Sequence, residues 1–354
     1  MVLFKFVLQR LFLAAVTFLV ITAVLYGIMM LAPAEARAMM YIPSGGRGND
    51  VNLINTIIRE HGLDDPYPVQ YTRWLFNLVQ GDWGWSPVMG EDVLTALVKR
   101  TPVTVELTLY SVLLFIPIGL ISGVIAGWKR GRFIDHGLRL VAFIGTSIPP
   151  FIMGLILLAI FYVSLHWFMP GRISISNELD IRSDTFRTIT GLLTIDGLLN
   201  SRADITVDAL RHLALPVFSL SLAHWATLMR VTRTAIIEEL DKEYVIAAWG
   251  RGLPYALAVW RHALRNAMVP ALNSSALSAA VLVTGVFVIE IVFSLPGVSK
   301  LFTQSASNAL FFAPDVSATM GFAVYGTLMV LPLMVTLDFL QAVIDPRIRE
   351  EVLL

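Results

Sequence analysis

The sequence predicts an all-α integral membrane protein with six transmembrane helices. Two observations carry that reading. Of 354 residues, 56% are hydrophobic and only 15% are charged, against roughly a quarter charged in a soluble domain. Six apolar runs lie at 11–32, 107–128, 140–169, 213–229, 267–289 and 316–337, each within or above the roughly 17–25 helical residues that cross a bilayer core. Helices are expected because an open sheet edge in hydrocarbon leaves backbone groups unsatisfied. Mean hydropathy of +0.72 agrees.

Residues 1–32 form the N-terminus and first span. Its apolar core exceeds the about 7–15 residues of a signal peptide, and no small-residue cleavage site follows, so the span is expected to be retained. Residues 33–102 are too long for a plain connector and predict a small folded cap outside the cytoplasm. Asn49 or Asp50 is a candidate N-cap for a helix with apolar face Val51, Ile54, Ile57 and Ile58, ended by Gly62. A second helix is expected at 69–79, carrying Trp74, and Gly81-Asp82-Trp83-Gly84-Trp85 reads as a turn.

Residues 103–350 form the transmembrane domain. Gly119, Gly123 and Gly127 make a GxxxGxxxG stripe that permits a close helix crossing, within the chain on the plainer reading or at a dimer interface on the other. The run at 140–169 is over-long for one span and is expected to tilt or kink at Pro149-Pro150. Pro117, Pro216 and Pro332 are further bend points. Segment 170–211 holds Asp-Gly and Asn-Ser turn signals. Segment 294–314 holds Leu295-Pro296-Gly297 and an amphipathic stretch through Leu301 and Phe302, read as a short helix dipping toward the membrane.

An even number of spans puts both termini on one side. With that side cytoplasmic, the inner segments carry 14 basic against 8 acidic residues and the outer segments 12 against 15, the polarity that basic cytoplasmic loops produce.

Several chemistries are excluded at this level. With no cysteine, disulfides and thiolate metal sites are ruled out. The six histidines show no HExxH or paired metal spacing. Neither a G-x-x-x-x-G-K-[ST] phosphate loop nor a G-x-S-x-G elbow is present. Zero net charge argues against a nucleic-acid partner. Glu106, Glu290 and Asp338 are the acids in or beside spans. Such residues are costly and often functional, but their places near span ends are expected to let water or headgroups reach them.

The inner segment between the fourth and fifth runs is the most informative. It reads as two helices meeting in an elbow, with the coupling loop at 233–266. The first helix is expected over 233–250, Gly252 suits the C′ position, and Pro254 suits the first turn of the next helix. Ala247, Ala248 and Gly252 are small enough to let another surface approach. The alternative is an ordinary amphipathic connector. Arg251, Arg261 and Arg265 either meet carboxylates or simply mark the cytoplasmic side.

These residues, in order, carry a resemblance. Gly62-Leu63-Asp64-Asp65-Pro66 with Pro68-Val69-Gln70-Tyr71, Gly81-Asp82-Trp83-Gly84, the segment from Asp208 to Pro216, Ala247-Ala248-x-x-x-Gly252, Arg261-His262-Ala263-Leu264-Arg265-Asn266-Ala267, Glu290 with Phe293-Ser294-Leu295-Pro296-Gly297, and Asp345-Pro346-Arg347-Ile348-Arg349 follow one another. Over nearly its whole length the chain resembles the permease subunits of dipeptide, oligopeptide and nickel ATP-binding cassette (ABC) importers, the DppB/OppB-like group. The resemblance implies a type I ABC importer permease fold in a bacterial or archaeal inner membrane. It implies a homologous second permease, two ABC ATPase subunits that hold ATP and Mg, and an extracytoplasmic substrate-binding protein. It implies no catalysis and no cofactor in this chain.

In that family the elbow is the EAA loop that docks on an ATPase. The resemblance therefore assigns ATPase coupling to Glu243, Tyr244, Ala247, Ala248, Gly252 and Leu253. Glu290, toward the outer mouth that segment 170–211 is expected to cover, is the candidate pathway residue. Four positions depart from the pattern: Ile246 stands where the motif's glutamate is expected, Trp249 and Gly250 replace basic and small residues, and the closing proline comes late, at Pro270. These changes point to an unusual ATPase partner or branch within the same fold. Peptides are the expected cargo, with oligosaccharides, nickel chelates or another small solute as alternatives. A secondary transporter would show an internal repeat around a midplane site, and no such repeat is evident.

Overall fold

The computed structural model describes residues 2–38, 41, 51–183, 186–303 and 315–344. The fold is all-α as expected, with one two-stranded hairpin among the described residues. The chain forms two compact units, one of Leu8–Pro102 and Pro296–Pro332, the other of Met1–Val7, Val103–Leu295 and Leu333–Leu354.

Helix α1 (Val2–Met29), which belongs to the first unit from Leu8 onward, exposes Phe12, Val20 and Val24 by 57–67%, as a lipid-facing helix should. Helix α4 (Tyr67–Val79) is tied to it. The Tyr67 hydroxyl donates to the Ala23 carbonyl at 2.6 Å, and Tyr26 packs against Tyr67, Tyr71 and Trp74 with ring centroids 5.4–6.2 Å apart. Helices α2 (Ala34–Ala38) and α3 (Val51–His61) share a small core of Ala38, Ile54, Ile57, Ile58 and Leu63.

The expected apolar face of α3 is corrected at Val51, which is 67% exposed because it opens the helix beyond the reach of that core. The expected caps Asn49 and Asp50 lie outside the described residues. Gly62 ends α3 as expected. Its φ is +59°, and the Leu63 N–H reaches the Ile58 carbonyl at 2.9 Å, the wrap of a glycine C-cap. Arg37 closes the unit, donating to the Ala32 and Leu63 carbonyls and to Gln70 at 2.8–3.1 Å.

Past the turn at Gly81–Gly84, strands β1 (Trp85–Ser86) and β2 (Glu91–Asp92) pair antiparallel. Helix α5 (Val93–Trp128) follows at once, so the expected boundary at 102 falls inside a helix. Val93, Ala96 and Leu97 are buried at helical spacing, and Glu91 accepts from Lys99 and Arg100 across the first turns. This polar-flanked stretch reads as loop by hydropathy and as helix by packing. Asp315 accepts from Ser86 at 2.5 Å and from the Ala318 N–H at 2.9 Å, where helix α13 (Val316–Ile344) begins. In segment 294–314, residues 299–303 are helical, with Leu301 buried and Phe302 40% exposed; 304–314 lie outside the described residues.

The second unit is centred on helix α10 (Ala203–Leu240), against which helix α6 (Phe133–Ser147), helix α7 (Pro150–Ser164) and helix α12 (Tyr255–Val292) pack. At 38 residues, α10 is roughly 57 Å long. It therefore outreaches the apolar run at 213–229 at both ends, absorbing the end of the expected outer segment and the start of the coupling loop. The run at 140–169 bends at Pro149-Pro150 as expected, and far more sharply than a kink. Ile148 and Pro149 are extended, and α6 and α7 meet at 102°, since consecutive prolines remove donors and bar the helical region before them.

Segment 170–211 contains helix α8 (Ile175–Ile181) and helix α9 (Leu193–Leu199). The expected Asp196-Gly197 turn is helical, while Ser201, at φ +57°, makes the bend after Asn200.

The glycine stripe packs within the chain, as the plainer reading had it. Cβ atoms placed on Gly119, Gly123 and Gly127 would lie 2.8, 2.5 and 2.7 Å from Leu228, Thr232 and Ile236 of α10. Gly123→Leu is therefore expected to cost about 1–3 kcal/mol or more through overpacking. Gly137→Ala, where nothing lies within 4 Å, is expected to be tolerated. Membrane abundance and thermal aggregation of the two variants check this.

Among the described residues, α1, α5, α10 and α12 are long and apolar enough to span a membrane, the bent α6–α7 pair makes a fifth candidate, and Ser317–Leu331 of α13 is a shorter apolar stretch.

Candidate functional site

The elbow is built from the end of α10, helix α11 (Glu243–Gly250) and the start of α12. The expected single helix over 233–250 is corrected: it breaks at Asp241-Lys242, where Lys242 turns extended at ψ 143° and Glu243 opens α11. An acidic residue in the first turn is favourable toward the helix dipole. Gly252 takes the C′ position as expected, at φ +88°, with its N–H on the Trp249 carbonyl at 2.9 Å and the Leu253 N–H on Ala248 at 3.4 Å. Pro254 sits one place before its expected position, as the N-cap of α12.

The two faces of α11 differ. Val245 and Ala248 are buried, Val245 in a core with Ala235, Ile236, Ala258, Val259 and Ala263. Ala248, expected to lie open to a partner, is 0% exposed here. Glu243, Tyr244, Ala247 and Gly252 are exposed, and Leu253 is half-buried. Ile246 and Trp249, the motif departures, are 53% and 59% exposed. Trp249 meets Tyr255 edge-to-face at 5.8 Å, and Tyr255 and Trp260 are themselves about two-fifths exposed. Aromatic side chains left exposed in this way mark interaction surfaces. The sequence signal was present in the departures themselves, as apolar residues where polar ones were expected.

Tyr244 braces the corner. Its hydroxyl donates to Glu239 of α10 and accepts from Asn266 of α12 at 2.9 Å. Burial, then the Glu239 carboxylate, push the phenol up to about 12, so it stays protonated as a donor at neutral pH. Below pH 10 this contribution is whole, and it is lost as pH rises through about 12.

Glu106 and Glu290 are not where water reaches them. Glu290 is 0% exposed, held by Thr104 at 2.5 Å. Glu106 is 2% exposed and accepts from the Thr194 N–H and hydroxyl at 2.7–2.8 Å and from Arg172 at 3.3 Å. Both expectations of solvent access are corrected, because α9 closes over Glu106 and α5 over Glu290. The side chain of Asp338 and the segment Asp345–Arg349 lie outside the described residues.

The structure holds a further buried acid that the sequence does not signal. Asp135, at the start of α6, accepts from Arg233 Nε at 2.6 Å, Arg233 Nη2 at 2.8 Å and the Gly131 N–H at 2.9 Å. It fixes the α5–α6 turn to α10 just above the elbow. No local pattern signals a pair 98 residues apart.

Residues 116–350 match the family model described as the binding-protein-dependent transport system inner membrane component, and residues 3–108 match the N-terminal model of such membrane components. Similar proteins include the di/tripeptide transport system permease protein DppB of Pseudomonas aeruginosa, 35% identical over 98% of this chain and 99% of its own. The oligopeptide transport system permease protein AppB of Bacillus subtilis is 31% identical over 97% and 98%. The probable D,D-dipeptide transport system permease protein DdpB of Escherichia coli is 33% identical over 86% of each chain.

Proposed function

Since the chain belongs to the family of binding-protein-dependent transport system inner membrane components, we propose that it is the transmembrane subunit of an ATP-driven importer that passes peptides by alternating access. It forms half of the translocation path, and a homologous permease forms the other half. Two ABC ATPases bind ATP and Mg on the cytoplasmic side, and an extracytoplasmic binding protein delivers cargo. Both termini are cytoplasmic. The chain itself carries out no catalysis.

The observation that carries this reading is the elbow: a short helix braced on both neighbours, with Ile246 and Trp249 exposed, in a chain whose full-length relatives are named as peptide permeases. Coupling requires an element whose contacts differ between two states. The exposed side of α11 (Glu243, Tyr244, Ile246, Ala247 and Trp249), with Gly252 at the corner that follows, is that element, while Ala248 and Leu253 hold it in place. An elbow that moves as one body transmits the closure of the ATPases to α10 and α12.

The test is recovery of the complex from gently solubilised membranes, with uptake of a labelled dipeptide set against an oligosaccharide and a nickel chelate. Two ATPase copies, a second permease and saturable dipeptide uptake are expected. Recovery of the chain alone across several mild detergents contradicts the assembly, and uptake of another solute only contradicts the cargo.

A further inference from the structure

A groove of about 490 Å³ lies between α6 and α10, lined by His136, Arg139, Leu140, Phe143, Arg230 and Arg233. Its charge is unbalanced. Arg233 is neutralised by Asp135, but Arg139 and Arg230 are exposed, and among the described residues no carboxylate lies within ion-pair distance of either. Glu238, the nearest acid along α10, lines an adjoining groove that shares Arg230 and Thr234 with this one, and it makes no ion pair with Arg230.

The apolar residues follow a direction. Leu140 is 62% and Phe143 68% exposed, on the same face of α6 as His136 and Arg139 and further along the helix. The adjoining α5–α6 turn carries Lys129, Arg130 and Arg132, with the Lys129 ammonium 5.6 Å from the centre of the Trp128 ring. A tryptophan beside clustered cations marks the level of lipid headgroups.

Cations at headgroup level, continued by exposed hydrocarbon along one helix face, match an amphiphile with an anionic head. Peptides do not fit that pattern, since they present both charges and need no greasy continuation. Basic pockets between transmembrane helices take anionic headgroups, and the planar guanidinium fork suits phosphate oxygens. We propose that Arg139 and Arg230 clamp the phosphate of an anionic phospholipid whose acyl chain lies along Leu140 and Phe143. The occupant would pin the α6 start to α10 at the point where α10 leads into the elbow. This requires only that the chain sits in a membrane, and it does not depend on the cargo.

The test uses the complex purified with this chain and reconstituted in nanodiscs of phosphatidylcholine with one quarter phosphatidylglycerol. Lipids retained after mild delipidation are read by native mass spectrometry. Phosphatidylglycerol is expected to be enriched over its share in the disc. Arg139→Gln or Arg230→Gln should each reduce the enrichment about fivefold, the effect of one basic residue at a membrane surface, and the double variant should abolish it. Arg139→Lys with Arg230→Lys should keep most of it, and an unchanged melting profile in all variants separates lost binding from lost folding. Three outcomes overturn the proposal. One is no enrichment in the unsubstituted protein, as when the second permease covers the groove. Another is enrichment that survives the double variant. The third is full displacement by millimolar inorganic phosphate, which makes this a site for free anions and not for a lipid.

Discussion

Asp135→Ala is expected to destabilise the protein by about 3–5 kcal/mol, the cost of removing one partner of a buried ion pair. The carboxylate is 0% exposed and takes three hydrogen bonds, two from the Arg233 guanidinium and one from the Gly131 N–H. Its loss leaves a partly buried guanidinium without its counter-charge and a turn without its anchor. It also adds Arg233 to the excess of positive charge at Arg139 and Arg230. Asp135→Asn keeps an acceptor for Gly131 and should cost less. Arg233→Ala should cost about as much as Asp135→Ala, and the double variant less than the sum, because the pair is a single coupled unit. Thermal unfolding of the detergent-solubilised complex, read as a double-mutant cycle, checks this order. Additive effects would show that the pair contributes nothing beyond its separate residues.

Substitution at Gly252 should act on transport more than on insertion. Nothing lies within 4 Å of a Cβ placed there, so a side chain meets no clash; the penalty is the +88° φ itself. That costs an L-residue roughly 1–2 kcal/mol, less for asparagine and most for a β-branched residue. The corner this glycine makes sets the angle between α11 and α12 and hence the presentation of Ile246 and Trp249. Uptake is expected to fall in the order Gly, Asn, Ala, Val, with valine at least tenfold down, while membrane abundance stays within about twofold. An order that follows side-chain volume, with asparagine worse than alanine, would place a partner's surface and not backbone strain at this position.

The two glycine corners were legible because each is a local rule. Gly62 and Gly252 follow helical stretches and take the positive φ that ends them. The GxxxGxxxG stripe was equally plain, since small residues at helical spacing have one main use, and α10 fills it. Long-range burial was hidden. The mixed stretch 93–106 became helix with Val93, Ala96 and Leu97 buried on one face. Asp135 and Arg233 became partners because α6 and α10 run side by side. Glu106 and Glu290 looked wet because hydropathy locates span ends but not the segments that close over them. Pro149-Pro150 was recognised as a bend, but the 102° angle follows from two consecutive extended residues, which a single-proline kink does not convey. In the elbow, the motif does not say which of Glu243, Tyr244, Ala247, Ala248, Gly252 and Leu253 stays exposed, and Ala247 does. The structure turns Ala248 inward and leaves Ile246 and Trp249 outside.

The absence of cysteine from the chain makes the decisive measurement clean. A single cysteine is introduced by Ile246→Cys, and the assembled complex is treated with a short bifunctional thiol-to-amine crosslinker, with and without ATP. A crosslink from position 246 to an ATPase subunit, changing in yield with nucleotide and missing from a Val51→Cys control, is the predicted result. Free alkylation of position 246 in the intact complex, with no crosslink in either nucleotide state, would contradict the elbow as the docking element.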